Sequence, residues 1–382
     1  MINSSCTPLR RSIIVKPVGS FCNLRCDYCF YLEKKKLYAG SSSDHRMSGQ
    51  TVEKIIQNMF ACSDEPTFVW HGGEPTLMGL DFFQQAVDMQ QHYAQGRAYA
   101  NALQTNGTLL NQEWADFLKK ENFLVGVSLD GPEHVHDQYR KDAHGQGTFF
   151  TVFENAKMLL HNQVPVNVLA TVNSYSVKHA EQIYRFFKRH NFIFMQFMPV
   201  VETDPRNPEV AAPYSVTAKA YGAFLNRLFK LWVKDFDFKQ LKQKTSIRFF
   251  DDLIKKYAGM APDHCIFKNV CGNALVLEHN GDMYSCDYMV SEDTRVGNIH
   301  DMSIDDAFRS RLNIAFGERK SQFGPHCKKC KWLDLCYGGC IKDRIRDPKD
   351  KGHNRFCSSY RFFFQQADKQ LKKFAELYRE YY

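Results

Sequence analysis

Eleven cysteines gathered into two spaced groups, out of thirteen in a chain of 382 residues, constrain this protein more than any other feature. The N-terminal stretch MINSSCTPLRRSIIVKP has no long apolar run and no small-residue cleavage site, so it does not read as a secretory leader. No run of eighteen apolar residues is present, and no membrane span is expected. The expected compartment is the cytoplasm, where thiols stay reduced and cysteines this numerous serve metals rather than disulfides. The length is enough to bury a core without covalent staples.

The first group reads Cys22-Asn-Leu-Arg-Cys26-Asp-Tyr-Cys29-Phe-Tyr. Thiolates are the soft ligands that select iron–sulfur clusters or zinc. Structural zinc takes four ligands, commonly from paired CxxC knuckles. Three cysteines with no fourth nearby fit a four-iron cluster with one iron left open, and an open iron can chelate a substrate. A zinc knuckle and plain buried thiols are the alternatives. The second group runs Cys265, Cys271, Cys286, Cys327, Cys330, Cys336, Cys340 and Cys357. Eight thiolates make two sets of four, and a fully ligated four-iron cluster serves electron transfer. Two zinc sites fit the same count, and spacing does not fix which cysteine serves which set. Cys6 and Cys62 are left as ordinary thiols.

Apolar periodicity places the first group in a fold. Strands are expected at Ile13–Lys16, Thr67–Trp70, Ala102–Thr105, Leu124–Leu129, Val166–Val172 and Ile193–Phe197. Helices are expected between them, at Thr51–Ala61, Phe82–Gln91, Glu113–Glu121, Phe149–His161 and His179–Arg189. Such alternation predicts a parallel α/β sheet with crossover helices. Six units fall short of the eight in a closed barrel. Glu202–Pro213, rich in Pro, Asp and Asn, reads as a loop, and a long helix follows at about Thr217–Val233. From His264 on, cysteines, glycines and turns mark a second domain with little core of its own. A last amphipathic helix, about Tyr360–Tyr378, is expected to pack back through Phe363, Phe364, Ala367, Leu371 and Phe374.

Chemistry in parallel sheets collects at the C-terminal strand ends. The first cysteine group, Gly72–Gly73, Asn106–Gly107 and Asp130–Gly131 each follow a predicted strand. In Trp70-His-Gly-Gly-Glu74-Pro, the glycines permit close approach of a ligand and Glu74 is a candidate acceptor for an ammonium group. Ser128-Leu-Asp130-Gly-Pro is by itself a strand-to-turn signal. Arg140 offers a guanidinium suited to a carboxylate, and a surface ion pair is the plain alternative.

CxxxCxxC followed by an aromatic residue resembles the signature of the radical S-adenosylmethionine superfamily, and the later cysteines resemble its twin-cluster SPASM extension. The resemblance implies a partial (β/α)6 barrel over residues 10–235 and a cysteine-rich SPASM domain over 236–382 that binds two auxiliary clusters. It implies three [4Fe-4S] clusters in all. Cys22, Cys26 and Cys29 hold the one that binds S-adenosylmethionine and cleaves it to a 5′-deoxyadenosyl radical. Cys265, Cys271, Cys286 and Cys340 hold a second, and Cys327, Cys330, Cys336 and Cys357 a third. Tyr28, Gly73, Ser128, Arg140 and Met195 carry over as cofactor contacts.

Motifs in order from Lys16 nearly to the C-terminus are most similar to anaerobic sulfatase-maturating enzymes. These include Cys22–Tyr31, Gly72–Leu77, Leu103–Leu109, Phe123–Pro132, Ser246–Asp251, Val296–Met302 and Cys327–Cys340. The family oxidises a Cys or Ser of a sulfatase polypeptide to Cα-formylglycine. The implied partners are that polypeptide and a low-potential electron donor of flavodoxin or ferredoxin type. Asp287, next to Cys286, matches the family's proposed base; its position alone suits a supporting carboxylate equally. His71 departs from the Gln found in some relatives. A related maturase that cross-links or epimerises another ribosomal peptide is the rival, and a plain iron–sulfur electron carrier is the second. The net charge of +8 is spread along the chain and reads as a solvated surface, with no nucleic-acid partner expected.

Overall fold

The computed structural model describes residues 9–38, 45–204, 206–237, 242–345 and 353–381. Cys6 therefore lies outside the described residues. Six strands follow in chain order: β1 (Ser12–Lys16), β2 (Thr67–Trp70), β3 (Ala100–Thr105), β4 (Leu124–Ser128), β5 (Val166–Val172) and β6 (Phe194–Pro199). Each pairs in parallel with the next. The crossover helices are α1 (Gly49–Cys62), α2 (Leu80–Ala94), α3 (Gln112–Lys120), α4 (Phe149–His161) and α5 (Ala180–Arg189). Local chemistry starts them: Ser48, Asn111 and the amphipathic split of α5 are examples. Ser48 Oγ accepts the Thr51 amide at 3.2 Å and Asn111 Oδ1 the Trp114 amide at 3.0 Å. In α5, Ala180, Ile183, Tyr184 and Phe187 are buried while Lys188 and Arg189 end the helix.

The sheet extends at both edges. A short strand β7 (Ser246–Ile247) adds in parallel to β6. It follows the long helix α6 (Ala218–Lys234) and leads into α7 (Arg248–Tyr257). On the other side β8 (Ala274–Glu278) pairs in parallel with the whole of β1, from Ser12↔Ala274 to Lys16↔Glu278. Strands β9 (Asp282–Tyr284) and β10 (Arg295–Asn298) continue antiparallel. The cysteine-rich region is thus built onto the barrel's own sheet, and the segment after β9 brings Asp287 to Lys16, the last residue of β1, after which the first cysteine loop begins. The C-terminal helix α8 (Cys357–Tyr381) starts earlier than Tyr360, so Cys357 sits on its first turn. Phe363 meets Phe229 and Phe250 at 5.4 and 5.6 Å, and Phe374 meets Trp232 at 5.4 Å. Glu202–Pro213 is not a plain loop: Thr203–Asp204 pairs antiparallel with Asn207–Ala211. A proline biases its predecessor to extended backbone, which suits a ribbon as well as a loop.

Ser246 Oγ donates to Asp251 at 2.5 Å, tying β7 to α7. Burial nevertheless pushes the Asp251 carboxyl up to about 7 from an ordinary 3.8. A raised carboxyl stabilises the fold below its unfolded value and loses that contribution as pH rises through the folded one. Asp251→Asn is expected to gain in melting temperature over the parent progressively between about pH 4 and pH 7, with a constant advantage above. An advantage that does not change over that window overturns the assignment.

Candidate active site

The loop after β1 is clipped at three points. Gly19 and Phe21 turn back on Lys16 and Val18 through hydrogen bonds of 3.1 and 3.0 Å. Arg25 N–H donates to Lys141 O at 2.8 Å and Asp27 N–H to Tyr139 O at 3.2 Å. Asn106, after β3, donates to Asn23 Oδ1 at 2.8 Å and lies 3.7 Å from Cys22 Sγ. Cys22, Cys26 and Cys29 gather with Leu24, Tyr28, Tyr139 and Tyr214. Burial pushes Cys22 up to about 12 and Cys26 up to about 11; the neighbouring thiols add to both shifts, and Arg140 opposes the second.

Two of the expected contacts have structural work of their own. A methyl on Gly73 would lie 1.9 Å from the Phe21 carbonyl oxygen, so glycine is required for the cysteine loop to pass. Glu74 is buried and spent. Its Oε1 accepts from Thr76 N, Thr76 Oγ1 and Thr105 Oγ1 at 3.1, 2.6 and 2.8 Å, and Oε2 accepts from Asn106 N at 2.7 Å. It is a strut between the ends of β2 and β3, with Oε1 taking three of the four donors and Oε2 one. Arg140 is buried with Nε 3.1 Å from Asp130 Oδ2, and Nη2 donates to Asp130 Oδ1 and Thr171 Oγ1 at 3.2 Å each. Tyr28 Oη donates to Asp130 Oδ2 at 2.6 Å. Burial works against the Arg140 charge, but Asp130 and Tyr28 outweigh it and hold the guanidinium ionised. Ser128 ends β4 at the rim, half-buried. Met195 does not reach the rim: it is the second residue of β6, 1% exposed within the main core, whereas Met198 pairs with rim residue Thr171.

Asp287 meets the barrel through Lys16. The Lys16 side chain is wholly buried, its Nζ is ion-paired with Asp287 Oδ1, and it lies 3.4 Å from the centre of the Tyr31 ring. Tyr31 Oη donates to Glu278. Burial raises the Asp287 carboxyl, but the Lys16 ammonium outweighs it and holds the pKa below the ordinary carboxylate range. His71 stands beside this pair. Its Nδ1 accepts the Gly72 amide at 2.6 Å, which puts the ring proton on Nε2, and burial lowers its pKa. A lysine closing the apolar run Ile13–Val15 was the available sign of Lys16, since a charge on a buried strand needs a partner.

The later thiols fall into two neighbourhoods. Cys286 is pushed up to about 12, by burial first and then by Asp287, Cys265 and Cys271. Cys340 is raised by burial, Asp343, Cys286 and Cys265. Cys336 is pushed up to about 11 by burial, with Cys330, Cys357 and Cys327 adding. The last four line one cavity of about 460 Å³. Buried Lys320 lies against the first set, its Nζ donating to Cys265 O and Ile266 O at 2.6 and 3.0 Å. Among the described residues no three His, Cys, Asp or Glu side chains close on the position of a single ion. Clustered buried thiols facing Arg140, Lys16 and Lys320 fit anionic iron–sulfur groups, whose corner ligands do not share one point.

Gly73→Ala is expected to destabilise the protein by about 1–3 kcal/mol or more and to lower iron bound per chain after anaerobic reconstitution. Gly49→Ala, where a methyl meets nothing within 4 Å, should retain parental iron. Equal iron in both variants would refute the steric account.

Comparison with known proteins adds to this geometry. Residues 17–187 match the radical SAM superfamily and residues 265–331 an iron-sulfur cluster-binding domain. The cysteine-type anaerobic sulfatase-maturating enzyme of Clostridium novyi is 36% identical over 94% of this chain and 96% of its own length. The serine-type enzyme of Bacteroides thetaiotaomicron is 37% identical over 92% of this chain and 88% of its own. The solved structure of native anSMEcpe with bound AdoMet and Cp18Cys peptide superposes with a TM-score of 0.87 at 34% identity, covering 96% of this chain and 99% of that one.

Proposed function

Since the chain belongs to the anaerobic sulfatase-maturating enzymes of the radical SAM superfamily, we propose that it oxidises a Cys or Ser side chain of a sulfatase polypeptide to Cα-formylglycine. The observation that carries this reading is the meeting, at one end of β1, of the three-thiol loop and Asp287, held by Lys16. Relatives of both target types stand at nearly equal identity, so the reading names both side chains.

Cys22, Cys26 and Cys29 hold one four-iron cluster in this reading; Cys265, Cys271, Cys286 and Cys340 hold a second; Cys327, Cys330, Cys336 and Cys357 a third. When loaded, these groups with S-adenosylmethionine supply the radical that takes a hydrogen from the target Cβ and the path by which an electron leaves. The remaining steps belong to side chains. Asp287, kept ionised by Lys16, takes the proton of the target thiol or hydroxyl. Lys16 holds the carboxylate at the end of β1, and Tyr31 and Glu278 fix Lys16. His71 stands near the same carboxylate, its ring hydrogen-bonded to Gln104. Tyr28, Asp130 and Thr171 hold Arg140 at the rim, where with Ser128 it receives the methionyl carboxylate. Residues 10–235 form the radical SAM barrel, and 236–382 the SPASM domain with its two auxiliary clusters and the C-terminal helix, which also lends Asp287 to the barrel mouth. The reductant is a flavodoxin or ferredoxin type of carrier, the compartment is the cytoplasm, and no nucleic acid or membrane takes part. No helix among the described residues is long and apolar enough to cross a membrane.

Anaerobic protein reconstituted with iron and sulfide, then given reductant, S-adenosylmethionine and a sulfatase-motif peptide, should yield 5′-deoxyadenosine and a hydrazine-reactive aldehyde. Cys26→Ala should abolish both. Asp287→Ala should keep cofactor cleavage while aldehyde falls by about 100-fold or more; an undiminished aldehyde yield would disprove the base assignment. Lys16→Met should lower aldehyde by about tenfold or more with cleavage retained, and Lys16→Met/Asp287→Asn should be no worse than Asp287→Asn alone. Additive losses in that cycle would mean that the ammonium does not act through the carboxylate.

A further inference from the structure

The cavity shared by Cys327, Cys330, Cys336 and Cys357 opens among cations. Lys329, Lys331 and Arg361 line it with exposed side chains, and among the described residues lining it there is no carboxylate. Lys331 Nζ lies 4.6 Å from the centre of the Trp332 ring, so its charge is carried at the cavity wall. The nearby Asp368 is engaged with Tyr257 and Lys372 at 2.7 and 2.8 Å, and Asp334 is exposed on the adjoining turn, one negative charge against three positive. Against the other late set the cation Lys320 is wholly buried, although Cys265 of that set is exposed.

We propose that this basic rim is the docking face for an acidic one-electron carrier protein, which takes up at the Cys327–Cys330–Cys336–Cys357 site the electron released when the target side chain is oxidised. The proposal rests on the reading that these thiolates hold a redox cluster. Its balance is simple. The target radical loses a proton to Asp287 and one electron through the chain, forming the C=S or C=O bond; the oxidised carrier is reduced by that one electron, and a C=S product then takes oxygen from water and releases its sulfur as hydrogen sulfide. Complementary charge speeds and orients such encounters, and electron-transfer interfaces are small, so three cations around a cofactor suffice. The charge of the whole chain, +8, attracts an acidic protein anywhere. Local reversal must therefore be compared with an equal reversal elsewhere.

The probe is an oxidised flavodoxin of acidic net charge, titrated against reconstituted holoenzyme at low salt and at 0.5 M salt. Lys329→Glu/Lys331→Glu/Arg361→Glu is expected to weaken binding by about tenfold or more at low salt. Lys157→Glu/Lys178→Glu/Lys230→Glu, exposed on barrel helices, should weaken it by about twofold at most. High salt should erase the difference. The neutral Lys329→Gln/Lys331→Gln/Arg361→Gln variant should fall between parent and reversal, which guards against a folding defect in the latter. Equal weakening by the two reversals, or binding indifferent to salt, overturns the proposal. Dithionite needs no docking, so with it the rim variants should cleave S-adenosylmethionine to 5′-deoxyadenosine at the parental rate. If the parent itself makes no 5′-deoxyadenosine there, the maturation reading falls, while the binding comparison still decides the docking face.

Discussion

One buried ion pair organises the site. Lys16 ends β1 and Asp287 follows β9, so their contact joins the barrel to the cysteine-rich region at the point where chemistry must occur. An unpaired ammonium at this depth would cost several kcal/mol. The Tyr31 ring and the Tyr31–Glu278 bond hold the cation from its other side. The glycines of the β2 turn belong to the same design: a methyl on Gly72 would come within 3.2 Å of Lys16 Cβ. Their absence of side chain serves the neighbours of the site before it serves any ligand.

The six barrel strands were legible because each is a short buried run punctuated by an amphipathic helix. Strands β7, β8 and β9 were not. Ser246–Ile247 is too short to show a period, and Ala274–Glu278 reads as one more apolar turn in a cysteine-rich stretch, since nothing local reveals that its partner is β1. Long-range parallel pairing leaves no mark in local sequence. The same limit hid Lys16, whose partner is distant in the chain.

Site residues divide along the same line. Cysteine spacing announces metal ligands, and the thiols form the two late neighbourhoods that interleave in sequence. Polar rim residues were harder to read, since a motif shows a functional group without showing what it is already bonded to. Glu74 ties β2 to β3 through four donors, and Met195 faces the core although Met198, three residues on, lies at the rim. Register decides such cases, and a strand end displaced by two residues changes which side chain stands at the mouth.

The seat of β8 on β1 bears on how the molecule is made. The strand that covers this edge is synthesised more than 250 residues after the one it covers. Until then the nascent barrel carries an unpaired parallel edge beside the Cys22–Cys29 loop, a surface prone to wrong pairing. That interval also leaves the three thiols reachable by iron delivery. Closure of the sheet by the last third of the chain thus orders biogenesis: the free edge of β1 is covered only when the polypeptide that supplies Asp287 has arrived.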